Sequence, residues 1–325
     1  MKKVMSFLLS LVLLSLCASC GQADAPATSA PATTAPAETT TVATEPYLTG
    51  PAALDGKKIL FIGNSYTAWG NTVFINPLAN LTQDLCSNDQ GYFYQLCKAN
   101  GIDASVTNWT HGDHDLTDIM ESCNAGTVCA GEKHQYFLAD PVFDYVCIQL
   151  YMEKEYKGDL WTHLQPTMDF FRQANPDVKF LLLVPHMAAE KNFVWYEDLG
   201  TLEGKDITVC NWGTMLHDIC QGNVTVPSAT LQFVRTSFVN TLDDHHENAL
   251  AGYITTLMTY CAITGESAVG QPYQFCDDSA MDDRFDLEAY RTKFYPDGAT
   301  NFVEIFRSEA DMKGLQQLVD QYLAK

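Results

Sequence analysis

Two short stretches of this 325-residue chain hold residue types able to do nucleophilic chemistry. The first is Gly63-Asn64-Ser65-Tyr66-Thr67. It follows Lys58–Ile62 (KILFI), a continuous apolar run of the kind that forms a strand buried on both faces. A serine in a tight strand-to-helix turn presents its hydroxyl above the sheet, beside the N–H groups that open the next helix. Gly63 is expected to let the backbone turn. Thr67 stands where the second glycine of G-x-S-x-G would be, and a serine here could instead do no more than cap a helix. The second stretch is Leu242-Asp243-Asp244-His245-His246, ahead of a helical pattern that starts near Glu247. A serine nucleophile needs a base to take its proton and a carboxylate to orient the imidazole. At the Asp243–His246 spacing, a carboxylate can reach Nδ1 of the histidine and leave Nε2 free. Asp244 and His245 are the competing choices.

These residues need a frame. Besides Lys58–Ile62, apolar runs at 106–109, 143–150 and 178–184 read as strands, with a short fifth at 224–226. Helical patterns lie at 77–97, 160–173 and 205–220, and closing helices at 247–264 and 310–323. Strands alternating with helices predict a parallel sheet covered on both faces, with ligands at the carboxyl ends of its strands.

Taken together the two stretches resemble the SGNH/GDSL hydrolases. ILFIGNSYT resembles the family's first block, in a branch with GNS in place of GDS, and LDDHHENALAGYITTLMTYCAITG resembles its last block, whose D-x-x-H supplies acid and base. Residues 227–237 (PSATLQFVRTS) resemble the segment ahead of that block, and VTNWTHGDHDL at 106–116 the second block. The similarity spans about 58–265. It implies a three-layer α/β/α sandwich with a parallel, flavodoxin-like sheet, and an esterase that needs no cofactor. It also implies Ser65 as nucleophile, Asp243 and His246 as acid and base, and an oxyanion hole with the N–H groups of Ser65 and Gly112. The family's third block usually adds an asparagine side chain to that hole. After FDYVCIQ this chain has Leu150-Tyr151-Met152-Glu153, so Gln149 is the nearest amide, either an oxyanion donor or a structural partner. By the same resemblance the substrate is an acyl ester, most simply an O-acetyl group on an extracellular glycan.

Other chemistries compete. His111, His114 and Asp115, with Asp243, Asp244, His245 and His246, have the residue types of a zinc or manganese hydrolase. A non-catalytic tethered binder would use aromatics such as Tyr66, Trp69, Trp109, Tyr151, Trp161 and Trp195 to stack on sugar rings. His186, after the fourth run, could border a pocket, and Arg235 could bind a substrate carboxylate or pair with an acid.

The N-terminus argues for export. Lys2 and Lys3 precede an apolar run, Met5–Leu16, too short for a stable spanning helix. Leu16-Cys17-Ala18-Ser19-Cys20 resembles a bacterial lipoprotein cleavage box, which makes 1–20 a signal peptide and Cys20 the lipidated residue. Residues 21–53, rich in Ala, Pro and Thr, read as an extended tether, and 54–325 as the folded domain. The expected location is therefore the bacterial cell envelope, on the extracytoplasmic face of a membrane. A net charge of −21 excludes nucleic acid and a basic lipid-binding surface as partners. Nine cysteines follow Cys20. In an oxidising compartment, Cys86 with Cys97, Cys123 with Cys129 and Cys210 with Cys220 are the pairs closest in sequence, while Cys147 and Cys261 sit in apolar runs as expected buried thiols.

Overall fold

A computed structural model describes residues 49–68, 70, 72, 91–110, 114–125, 142–151, 158–185, 198–230, 232–239, 246–274 and 308–324. All lie in one compact unit, Pro46–Lys325. Five parallel strands, β1 (Lys58–Gly63), β2 (Ser105–Thr110), β3 (Tyr145–Ile148), β4 (Lys179–Leu183) and β5 (Thr208–Cys210), form a sheet in the order β2-β1-β3-β4-β5. This is the flavodoxin-like order. The chain leaves β1 toward β2 on one side and returns to build β3, β4 and β5 on the other, which opens a crevice above the carboxyl end of β1.

The strands are buried on both faces, and β1, β3 and β4 are apolar beyond their first residues, which is why they read as continuous runs. On one face Ile59, Phe61, Val106, Tyr145, Cys147, Leu181 and Leu183 pack with residues of α2 (Gly91–Ala99), α5 (Trp212–Gln221), α6 (Ala249–Thr264) and α7 (Glu309–Leu323). On the other, Leu60, Ile62, Trp109, Val146, Ile148, Phe180 and Leu182 pack with α3 (Leu116–Ala125) and α4 (Leu160–Ala174). The result is the expected three-layer sandwich. Helix α4 shows how locally it is encoded. Asp159 caps it by accepting the Trp161 N–H at 3.1 Å, and Leu160, Leu164, Met168 and Phe171 form its buried stripe. Helix α6 is buried almost all round, wedged between the sheet and α7. Among the described residues no helix is long and apolar enough to cross a membrane.

The expected fifth strand at 224–226 is not one. The edge strand is Thr208–Cys210, inside the stretch read as helix, and α5 begins only at Trp212. The reason lies in Asn211, whose Oδ1 accepts the Thr214 N–H at 3.0 Å and starts the helix there. Val226 instead packs where α7 passes, since a Cβ at Gly314 would lie 2.1 Å from the Pro227 carbonyl oxygen. At the chain's entry, Gly50–Ala53 form a 3-10 turn with Ala53 buried, so the folded body takes in the last residues of the stretch expected as tether. Thr49 lies beside the first residues of β3, β4 and β5 and the end of α6, at the amino-terminal edge of the sheet.

Two of the cysteine pairs are not formed. Cys97, Cys147, Cys210, Cys220 and Cys261 are free thiols, so neither Cys97 with Cys86 nor Cys210 with Cys220 is bridged. Cys147 and Cys261 are buried as expected. Burial pushes Cys97 and Cys210 up to about 12 and Cys220 to about 11, and raises Cys147 and Cys261 as well. None of these five is a ready thiolate nucleophile at neutral pH.

Helix α7 is tied down through Asp311. Its carboxylate and Ser308 form a capping box, and the same carboxylate accepts the Thr230 N–H at 2.5 Å and the Thr230 hydroxyl at 3.0 Å. Burial raises the Asp311 pKa, but the hydrogen bonds from Thr230 and Ser308 outweigh it and hold the carboxyl below its ordinary value.

Candidate active site

Ser65 is the first residue of α1 (Ser65–Ala68), a short helix that starts where β1 ends. The cap of this turn is Asn64, not Ser65. Asn64 Oδ1 accepts the Tyr66 N–H at 3.2 Å, and its Nδ2 donates to the His114 carbonyl at 3.4 Å. The capping function is thereby filled by the neighbour, and the Ser65 hydroxyl is spared from it. The Asn64 amide also ties the turn to the loop after β2, a bond to a carbonyl that needs a donor and that an aspartate could not make.

Ser65 Oγ lies 2.8 Å from His246 Nε2. The two residues are 181 positions apart, and the fold brings them within hydrogen-bond reach. His246 is held from behind. Glu247 makes an antiparallel bridge with Val239, and the Asn248 N–H donates to the Phe238 carbonyl at 3.0 Å. The Asn248 side chain caps α6, accepting the N–H groups of Leu250 and Ala251, while its Nδ2 donates to the Ser237 carbonyl at 3.0 Å. The buried Glu247 carboxylate accepts the Trp212 indole N–H at 3.3 Å. The buried Tyr66 ring lies 5.0 Å from the imidazole, tilted by 36°. With Nε2 accepting the serine proton, the ring proton sits on Nδ1, and that N–H calls for an acceptor.

Gln149 extends the β3–β1 ladder by one residue, its N–H donating to the Ile62 carbonyl at 2.9 Å. Its side chain is buried directly under the serine turn. Oε1 accepts the Asn64 N–H at 3.1 Å and the Thr67 hydroxyl at 3.0 Å, and Nε2 donates to the Leu150 carbonyl. It is thus the oxygen of this amide that faces the turn, an orientation opposite to that of an oxyanion donor. Gly63 follows from the same packing. It is still strand and has no positive φ, so it does not serve as the expected turn residue. A Cβ there would come 2.7 Å from Thr67 Oγ1 and 2.9 Å from both Oε1 and Cβ of Gln149, so it is a glycine for want of room.

Asp243, Asp244, His245, His111, Gly112, His186 and Cys20 lie outside the described residues. Of the residues considered as metal ligands, His114, Asp115 and His246 are described, and among the described residues no group of three or more His, Cys, Asp or Glu comes together. Arg235 lies beside Cys220 of α5, whose thiol it partly stabilises as the anion. Of the aromatics considered for sugar stacking, Tyr66 and Trp109 are buried, Tyr151 is half-buried, and half-buried Trp161 has the Lys205 ammonium 4.8 Å above its ring. Trp69 and Trp195 lie outside the described residues. The roles of Asn64 and Tyr66 carried no sequence signal, and of the two alternatives for Gln149 the geometry is that of the structural partner. Thr67, in place of a second glycine, supplies the hydroxyl that the Gln149 oxygen accepts.

No protein-family model matches the chain, and no curated protein does. Solved structures do. A mutant of an acetyl-xylooligosaccharide esterase from Geobacillus stearothermophilus is similar with a TM-score of 0.40 and 14% identity, over 66% of this chain and 96% of its own. A protein from Parabacteroides merdae described as a GDSL-like lipase gives 0.43 and 13%, over 65% and 97%. One from Slackia heliotrinireducens described as an SGNH hydrolase gives 0.41 and 13%, over 65% and 99%.

Proposed function

We propose that the chain is an exported serine esterase that removes an acyl group, in the simplest case an O-acetyl group, from a carbohydrate. The observation that carries this reading is the 2.8 Å approach of His246 Nε2 to Ser65 Oγ at the carboxyl end of the central strand. His246 Nε2 takes the Ser65 proton as Oγ attacks the ester carbonyl. Asp243 supplies the acceptor that Nδ1–H calls for and stabilises the imidazolium. The N–H groups of Ser65 and Gly112 hold the oxyanion. The alcohol leaves with the proton from His246, and water then cleaves the acyl-enzyme through the same steps. The choice of an acetylated glycan rests on the family resemblance, and export with a lipid anchor on Cys20 rests on the N-terminal pattern alone.

The test compares the domain with its Ser65→Ala variant on p-nitrophenyl acetate and on acetylated xylan, following acetate release. The expected result is an active wild type and a variant near background. Equal activity in both would remove Ser65 from the mechanism.

A further inference from the structure

We propose that Gln149 is a positioning residue for the nucleophile, acting as an acceptor that clamps the serine turn at two points. The proposal rests on the reading of Ser65 as nucleophile and goes beyond it. Gln149 is 1% exposed, and its orientation is dictated by its neighbours. The Asn64 N–H can only donate and the Leu150 carbonyl can only accept, so Oε1 must face the first and Nε2 the second. Reversing the amide would set N–H against N–H and oxygen against oxygen. Oε1 then has two lone pairs and two donors, the Asn64 N–H immediately before Ser65 and the Thr67 hydroxyl two residues after it. The nucleophile is bracketed. Both bonds come from one buried oxygen that is itself fixed, because the Gln149 backbone N–H belongs to the β3–β1 ladder. The turn therefore cannot lift from the sheet or rotate about its own axis without leaving a buried donor unpaired. Gly63 completes the arrangement by leaving the space the amide occupies.

A donor in the oxyanion hole and a clamp under the turn make different predictions for Thr67. The experiment is a double-mutant cycle in the full chain with Gln149→Met, Thr67→Val and both together, and Thr67→Ser as the conservative variant. Both substitutions keep side-chain volume, and thermal melts confirm folding. The readouts are kcat and KM on p-nitrophenyl acetate and the rate of Ser65 labelling by a fluorophosphonate. The clamp predicts that Gln149→Met lowers kcat and labelling by about 10–100-fold, the scale of a misplaced reacting group. KM should stay within about twofold. Thr67→Val should cost roughly 5–10-fold, Thr67→Ser should retain wild-type rates, and the double variant should be no worse than Gln149→Met alone.

Multiplying losses, or a Thr67→Val protein as fast as wild type, overturns the clamp. If Gln149→Met does not fold, the Thr67 pair decides: loss in Val with recovery in Ser supports the clamp, and no loss refutes it. A wild type that neither cleaves ester nor labels at Ser65 brings down the proposed function and this proposal together. An active wild type with an additive cycle brings down this proposal alone.

Discussion

Gly252 lies in the first turn of α6, six residues after His246, and packs on Gly70, two residues beyond the helix that carries Ser65. A Cβ at position 252 would lie 1.6 Å from the Gly70 carbonyl oxygen, 2.3 Å from its carbon and 2.8 Å from its Cα. These are backbone atoms, so no rotamer change relieves the clash. Ordinary contact begins near 3.4 Å, so Gly252→Ala must part the two segments by about 1.8 Å or distort them by as much. One segment leads from His246 and the other from Ser65. If only about 1 Å of the parting reaches the site, the 2.8 Å hydrogen bond between Ser65 and His246 opens to about 3.8 Å, outside reach. We expect kcat to fall by about 100-fold or more, and overpacking to cost about 1–3 kcal/mol of stability.

Gly314→Ala is the control. Its Cβ would meet the Pro227 carbonyl oxygen at 2.1 Å, also backbone, between α7 and the loop after α5. It should lower the melting temperature comparably and leave kcat unchanged. The assay is p-nitrophenyl acetate hydrolysis by both variants at a temperature where melts show each folded. A folded Gly252→Ala protein with wild-type kcat would refute the reasoning, as would equal rate losses in the two variants.

Two further outcomes concern stability. Asn108 of β2 is 0% exposed, and both polar atoms of its side chain lack a hydrogen-bond partner among the described residues. Replacing it by leucine, a similarly shaped apolar residue, should stabilise the fold by about 1–2 kcal/mol, and a lowered melting temperature would contradict this. Asp311→Asn should destabilise by about 1–3 kcal/mol at pH 7. Because the folded-state pKa of Asp311 is lowered, its contribution is present above the ordinary carboxylate pKa and is lost as pH falls through the lowered value. The gap between wild type and variant in denaturant unfolding should therefore shrink on the acid side. A gap unchanged down to the lowest pH at which both fold would show that ionisation is not what holds Thr230.

Four of the five strands were legible because they are buried on both faces. Leu60–Ile62 and Val146–Ile148 leave no polar alternation to interpret. The fifth was not, because Thr208–Cys210 is a three-residue edge strand with one exposed and one half-exposed position, and it carries no apolar run. Its neighbour Asn211 held the missing information, since a capping residue inside an apparent helix marks where the helix starts. The Ser65–His246 pair was legible because each sits at a recognisable junction, a strand end and a helix start. Gln149 was harder. The sequence placed it at the end of β3 and left open whether its oxygen or its nitrogen faces the serine. That depends on which groups oppose it, and the two donors that fix its oxygen come from the serine turn, 85 and 82 positions away.

Thr49 meets the body at the amino-terminal edge of the sheet, beside the first residues of β3, β4 and β5, whereas Ser65 stands where β1 ends. Anything joined through the residues before Thr49, whether a bead, a fusion partner or a surface, is thus attached at the pole of the sheet away from the serine. A pull at that point is borne first by the 3-10 turn Gly50–Ala53 and the strand starts rather than by the turn that carries Ser65. Immobilising the protein by this end should leave the crevice above the carboxyl end of β1 facing away from the support.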